Sequence, residues 1–375
     1  MNFDQLIDRT STFSFKWQRY KDKDVVPLWV ADSEFKCAEP IIEALKARTE
    51  HGVYGYHLPA EYEPANQAVV RWLKDKHDWH IEPEWIVWTP GVVPAFNVAC
   101  KAICDEGDKV LVQVPNYPPM LAAPGLNNLI REDVDTIEVD GRWTLDFAQL
   151  EKKAADPKTK LFIMCNPMNP TGSVMTPQEL AEVERICLTH NVTLCSDEIH
   201  CDLILDESVK HIPAGKLTNI GAQSITLMAA SKTFNVAGLG TSFAIIPDTE
   251  LRGQFTRAAA GIVPWVNFMG LVATEVAFTQ CDDWHTAQLN YLRSNLDYLQ
   301  QEVDALPGFK LLRPQATFLA WIDASGLRVD DVHRYMESKG VGPSPGKDFG
   351  WDKFTRINFG CPRAMLEDAF SRLRG

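Results

Sequence analysis

The chain has 375 residues, more than a single hydrophobic core usually organises, so two domains are expected. It is 45% hydrophobic, and 50 acidic against 37 basic side chains give a net charge of −13, which argues against nucleic acid and anionic membrane as partners and favours a small molecule. Nine scattered cysteines without a C-x-x-C pair, a polar stretch over residues 1–17 and no apolar run of membrane-spanning length point to reduced, mostly buried thiols in a soluble cytoplasmic protein.

No repeat, low-complexity tract or Gly/Ser linker interrupts the chain, so any two domains must be joined by structured elements. Residues 64–76 read as a helix, with Val69, Val70, Trp72 and Leu73 on one side. A short strand over 85–88 runs into Thr89-Pro90-Gly91. A helix over 95–104, a strand over 109–114, a strand over 160–165, a helix over 177–190 and a strand over 192–196 follow. Two more strands, 224–228 and 241–246, complete the run. Strands alternating with helices predict a mostly parallel α/β sheet. Beyond Trp284 the pattern changes to a long helix (284–305), a strand (318–322), a helix (329–339) and a strand (355–359), which reads as a smaller α+β unit. Pro343-Ser-Pro-Gly346 reads as a loop, because two prolines and a glycine break regular structure.

Open α/β sheets bind ligands at the carboxyl ends of their strands. Four such ends carry polar chemistry: Thr89-Pro-Gly-Val-Val-Pro-Ala95, Asn166-Pro-Met-Asn-Pro-Thr-Gly172, Ser196-Asp-Glu-Ile-His200 and Ala230-Ser-Lys-Thr-Phe-Asn235. The N–H groups of Gly91, Val92 and Val93, at a helix start, suit a phosphate. Taken singly, Lys232 is an ordinary loop lysine, Asp197 a helix cap, Asn169 a turn former and His200 a packed histidine. His77 and His80 form an H-x-x-H step on what reads as the end of an exposed helix, with no further ligand to make a metal site. Motifs of serine hydrolases, P-loop proteins and dinucleotide-binding folds are absent.

In order and spacing, the four segments resemble fold-type I pyridoxal 5'-phosphate (PLP) enzymes, the aspartate-aminotransferase-like superfamily. Pro27-Leu-Trp-Val-Ala-Asp32, Tyr54-Gly-Tyr56, Asp197-Glu-Ile-His200 and Arg356-Ile-Asn-Phe-Gly-Cys-Pro-Arg363 are similar to the MalY/PatB group of cystathionine β-lyases, or C–S lyases. The resemblance implies an α/β fold with a large cofactor-binding domain over 46–280 and a smaller α+β domain from 1–45 and 281–375. It implies that Lys232 holds PLP as a Schiff base and then removes the substrate Cα proton, chemistry that requires a partly neutral primary amine. Asp197 is implied to lie at the pyridine nitrogen, Asn169 and His200 at the 3'-oxygen, and Tyr117 against the ring. Gly91, Val92, Val93 and Ser231 are implied to hold the phosphate. Tyr56 is implied to reach the phosphate of a neighbouring subunit, and hence a homodimer with shared active sites. Arg356 is implied to grip the substrate α-carboxylate through its guanidinium fork, helped by the backbone of Val30 and Ala31. Arg363 lies beyond that strand and is expected to cap structure.

Several positions depart from the wider pattern. His200 replaces a common tyrosine, Ala229 a serine, Gly240 a phosphate-binding arginine, and Ser33-Glu34 a Met-Asp pair. The implied activity is β-elimination of a thiol, with pyruvate and ammonia, from L-cystathionine or cysteine S-conjugates. An aminotransferase of class I/II uses the same residues, and a regulatory PLP-binding protein is a third reading.

Overall fold

The computed structural model describes residues 1–375 and contains two main sheets. The larger has eight strands, in spatial order Ile86–Thr89, Ser242–Ile245, Ser224–Met228, Thr193–Asp197, Thr159–Cys165, Lys109–Val114, Ile130–Val139 and Arg142–Leu145. Its central pairings are parallel, and only Ser242–Ile245 and the edge strand Arg142–Leu145 run against their neighbours. This is the mostly parallel α/β sheet that the alternating pattern predicts, in the arrangement the resemblance implies.

The sheet is buried on both faces, and strand periodicity sorts its side chains. Val110, Val112, Leu161 and Ile163 pack with Phe96 and Ala99 of the helix Val92–Ile103. Their neighbours Leu111, Phe162 and Met164 point the other way, onto Leu180, Val183 and Ile186 of the helix Pro177–His190. Strands covered on both faces are apolar at every position, so they show as short hydrophobic runs in the sequence. The parallel orientation brings the ends Thr89, Val114, Cys165, Asp197 and Met228 to one edge, where Thr89 pairs with Ser242.

The smaller sheet is antiparallel, in the order Lys310–Leu311, Leu319–Asp323, Phe354–Asn358 and Ser344–Pro345. Leu319, Ala320, Ile322 and Ile357 pack under Leu292, Leu296 and Leu299 of the helix Asp282–Ala305 and Leu366 and Phe370 of the helix Arg363–Arg374. The same core takes in Leu28 and Ile41 from the N-terminal segment, and Val26–Pro27 pairs in parallel with Val341–Gly342.

The structure corrects several expectations. Ser344–Pro345 is a short strand paired with Thr355 and Arg356, not a loop; as an edge strand it tolerates proline. The hairpin Ile130–Val139 and Arg142–Leu145 has no counterpart in the predicted elements, because a strand exposed on one face and carrying Arg131, Glu132, Asp133 and Asp135 gives no apolar run. The helix Glu63–His77 ends against the protein interior: His77 is buried with Nε2 2.9 Å from Asp202 Oδ1, while His80 is exposed. All nine cysteines are free thiols, and no helix is long and apolar enough to cross a membrane.

Candidate active site

The strand ends of the large sheet, the N-terminal segment around Trp29 and the edge of the small sheet enclose a cavity of about 460 Å³. Lys232, Asp197, Asn169, His200, Tyr117, Ser231, Gly91, Val92, Val93, Val30, Ala31 and Arg356 all line it. Tyr56 does not; it is fully exposed at 100%, edge-on to Trp265 at 6.4 Å.

Lys232 follows the strand Ser224–Met228 on a tight turn in which Phe234 N–H donates to the Ala230 carbonyl. The turn is anchored from beneath by Phe234, buried among Trp72, Phe278 and Trp284. Asn235 adopts a left-handed conformation at φ 56°, which asparagine tolerates better than most residues, and its amide donates to the carbonyls of Ser33 and Phe35. That tie carries the N-terminal segment over the lysine, so that Lys232 Nζ donates to the Ala31 carbonyl at 2.7 Å. Burial pulls the Lys232 pKa down to about 8; Asp32 and Asp197 pull it up, and Arg356 pushes it further down. A useful fraction of neutral amine is therefore present near neutral pH.

Asp197 ends its strand at the floor of the cavity, buried, with one hydrogen bond, from Ile199 N–H at 3.2 Å. Burial raises its pKa to about 7 against the weaker pull of the Ile199 N–H and the Lys232 charge, and no cation forms an ion pair with it. Glu198 beside it points away, accepting hydrogen bonds from Ser196 Oγ and Ala214 N–H and lying 2.7 Å from His211 Nε2. His200 is buried with no partner at Nδ1, and burial, reinforced by the charges of Lys232 and Arg356, drops its pKa to about 3. It is a neutral imidazole.

Arg356 lies in the middle of the strand Phe354–Asn358 and is only 4% exposed. It donates to Asn169 Oδ1 at 2.8 Å, to the Trp29 carbonyl at 2.6 Å and to Ser344 Oγ at 3.1 Å, and its guanidinium lies 4.7 Å from the Phe349 ring centroid. No carboxylate pairs with it, Nε has no partner, and burial lowers its pKa to about 10. A buried guanidinium without a counter-ion is a site for an anion. The N–H groups of Val30 and Ala31 have no acceptor within the chain, both residues line the same cavity, and the Val30 carbonyl accepts from Asn358 Nδ2.

Asn169 is held in place by the turn that follows it. Gly172 sits at φ 69°, and a Cβ there would collide with Pro314 and the Ala316 carbonyl, so the final residue of Asn-Pro-Thr-Gly has to be glycine. Both readings of this segment, turn former and site residue, hold together. On the opposite wall Gly91 precedes the helix Val92–Ile103, whose first-turn N–H groups at Val92 and Val93 have no intrahelical acceptor. Gly240 brings no cation there, but Thr241 and Ser231 add hydroxyls.

The sequence pattern gave no sign of the cavity's outer wall, formed by Phe15, Arg19, Trp29, Ser344, Asp348 and Phe349. These residues lie far apart in the chain and only the Trp29 motif marked any of them. Nor did it reveal the ionic cluster behind Ala31, in which fully buried Lys16 pairs with Glu34 at 2.7 Å and Arg9 binds Asp32 at 2.9 Å and Glu34 at 3.0 Å. Glu34 thus anchors the segment where the wider pattern has another residue. Arg363 donates to Asn295 Oδ1 and Ser294 away from the cavity, as expected of a structural residue.

The groups assembled here suit PLP: one amine for an aldehyde, one buried carboxyl for a basic ring nitrogen, a phenol beside them, and a helix N-terminus with free N–H groups and hydroxyls for a phosphate. Residues 23–373 match the family "Aminotransferase class I and II". Cystathionine β-lyase PatB of Bacillus subtilis is 37% identical, with 100% of this chain and 99% of that protein covered. Among solved structures, OvoB superposes with a TM-score of 0.96 at 43% identity, covering 100% of this chain and 98% of that one. Cystalysin from Treponema denticola, which contains PLP, superposes with a TM-score of 0.93 at 32% identity, covering 99% and 97%. With its family match, fold and donor set in agreement, the chain belongs to the class I and II aminotransferase family of PLP enzymes and, within it, to the C–S lyase group of cystathionine β-lyases.

Proposed function

We propose that this protein is a C–S β-lyase that releases a thiol, pyruvate and ammonia from L-cystathionine or related cysteine S-conjugates. The observation that carries the reading is a buried arginine without a carboxylate partner, Arg356, in the same cavity as Lys232, whose amine is partly neutral. An L-amino acid supplies the missing anion.

PLP, when bound, supplies an electrophilic aldehyde and a ring that delocalises the electron pair left at Cα when its proton departs. Arg356, with the N–H groups of Val30 and Ala31, binds the α-carboxylate and so fixes which substituent at Cα faces Lys232. Lys232 Nζ takes the Cα proton as general base. The Cβ–S bond then breaks with its electron pair on sulfur, the thiolate takes up a proton, and the three-carbon remainder takes up water to give pyruvate and ammonia. Asp197 would hold a proton at the ring nitrogen, where the positive charge would suit its buried carboxyl. Asn169 and His200, the latter as a neutral imidazole, would serve the ring oxygen, and Tyr117 would support the ring. Gly91, Val92, Val93 and Ser231 would hold the phosphate.

Aminotransferase and lyase share these steps until the Cα proton has left, so Lys232 and Asp197 do not separate them. The departures at His200 and Gly240, and the cystathionine β-lyases among the relatives, favour elimination. Incubation with cystathionine should give pyruvate, ammonia and free thiol without an added 2-oxo acid. Amino transfer from alanine or aspartate to 2-oxoglutarate should be roughly 100-fold slower, a difference of about 2.7 kcal/mol in barrier. Thiol release that requires a 2-oxo acid, or faster amino transfer, overturns the reading.

A further inference from the structure

Five acidic or basic side chains other than histidine line the cavity: Asp197, Lys232, Arg356, Arg19 and Asp348. Asp197 and Arg356 are buried and Lys232 is half-buried; these three account for the head of the substrate and the cofactor. The other two are of opposite sign, solvent-exposed and at the mouth. Neither is paired with an opposite charge of the chain. Arg19 has no carboxylate within ion-pair distance; its guanidinium lies 4.7 Å from the Trp29 ring centroid and is hydrogen-bonded to His333 Nε2 at 3.2 Å. Asp348 makes no ion pair and no side-chain hydrogen bond.

Each outer charge sits one residue away from the carboxylate site. Trp29 gives its carbonyl to Arg356 and its ring face to Arg19. Phe349, next to Asp348 in the chain, gives its ring face to Arg356. Arg19, Asp348, Trp29 and Phe15, whose ring lies 4.8 Å from that of Trp29, line the same cavity as Arg356. We propose that Arg19 and Asp348 form a distal subsite that selects leaving thiols carrying a carboxylate and an ammonium of their own, such as a second amino-acid head. Arg19 takes the distal carboxylate and Asp348 the distal ammonium. The proposal rests on the lyase reading for the direction in which the substrate lies, and names the class of leaving group that reading left open.

Amino acids in which a methylene replaces sulfur cannot lose a thiol, so they report binding alone. Norleucine, lysine and 2-aminopimelate present a neutral, a cationic and an anionic end at comparable reach. Their affinities for the PLP-loaded enzyme can be measured by calorimetry, with Arg19→Gln and Asp348→Asn as variants. In the wild type, 2-aminopimelate and lysine should each bind roughly fivefold more tightly than norleucine, the scale of an exposed ion pair. Arg19→Gln should remove the advantage of 2-aminopimelate and keep that of lysine; Asp348→Asn should do the reverse. Absence of either advantage in the wild type, or loss of both in each variant, overturns the subsite. Thiol release from S-ethyl-L-cysteine by the wild type is scored separately: its failure sinks the lyase reading, while the crossed binding pattern judges Arg19 and Asp348.

Discussion

Arg356→Lys keeps a positive charge in the cavity and removes the fork. The guanidinium has five N–H donors; three are committed to Asn169 Oδ1, the Trp29 carbonyl and Ser344 Oγ, and two remain. A lysine ammonium has three donors on one atom, and it cannot reach three acceptors on separate elements and still offer a donor to a carboxylate. Loss of one charge-assisted hydrogen bond to the substrate costs about 1.5–3 kcal/mol, or roughly 10- to 150-fold in affinity. The loss should appear as weaker binding of every L-amino acid tested, whatever its side chain. The groups proposed for phosphate and ring nitrogen, at Val92, Val93, Ser231 and Asp197, do not touch Arg356, so PLP should be retained. The assay is the dissociation constant of norleucine together with cofactor content after dialysis, with a thermal melt to confirm folding. A variant that sheds PLP yet binds amino acids normally would refute the placement of the carboxylate.

Lys232→Ala should lose nearly all turnover, and borohydride reduction of the wild type followed by peptide mass mapping should find the cofactor on Lys232; cofactor on another lysine sinks the assignment. Asp197 gives a pH prediction for the cofactor-free chain. Its pKa rises from 3.8 unfolded to about 7 folded, so the folded state binds more protons between these values and stability falls as pH rises through that window. Asp197→Asn should remove this fall, seen as a melting temperature that gains on the cofactor-free wild type from pH 4 to pH 8; a pH-independent difference counts against the buried carboxyl. Tyr56, exposed and outside its own chain's cavity, is expected to serve a partner's site. Mixing Tyr56→Phe and Lys232→Ala subunits should then restore activity above unmixed controls once exchange is verified, because both defects fall in one of the two pockets.

The large sheet was legible in the sequence because its strands are buried on both faces and joined by helices, so each appears as a short apolar run beside a 3.6-residue period. The polar residues that interrupt this rhythm, Asp197, Asn169 and Lys232, sit where the strands end, but taken singly they read as ordinary, and the family resemblance implied their roles. The same resemblance marked Trp29 and Arg356 as motif positions. What it could not supply were relations between distant segments. The carbonyl of Ala31 over Lys232, the bond from Arg356 to Asn169 and the strand made by Ser344–Pro345 each join residues ten or more positions apart, and their partners are fixed by packing of two sheets against a shared core. The charge states are of the same kind. A lysine at about 8, a carboxyl at about 7 and a neutral histidine follow from burial, which no residue carries in its own identity. The sequence determined which chemical groups are present and the order of the elements that carry them; the tertiary structure decided which groups meet, because desolvation and hydrogen-bond geometry exist only after the chain has closed around the cavity.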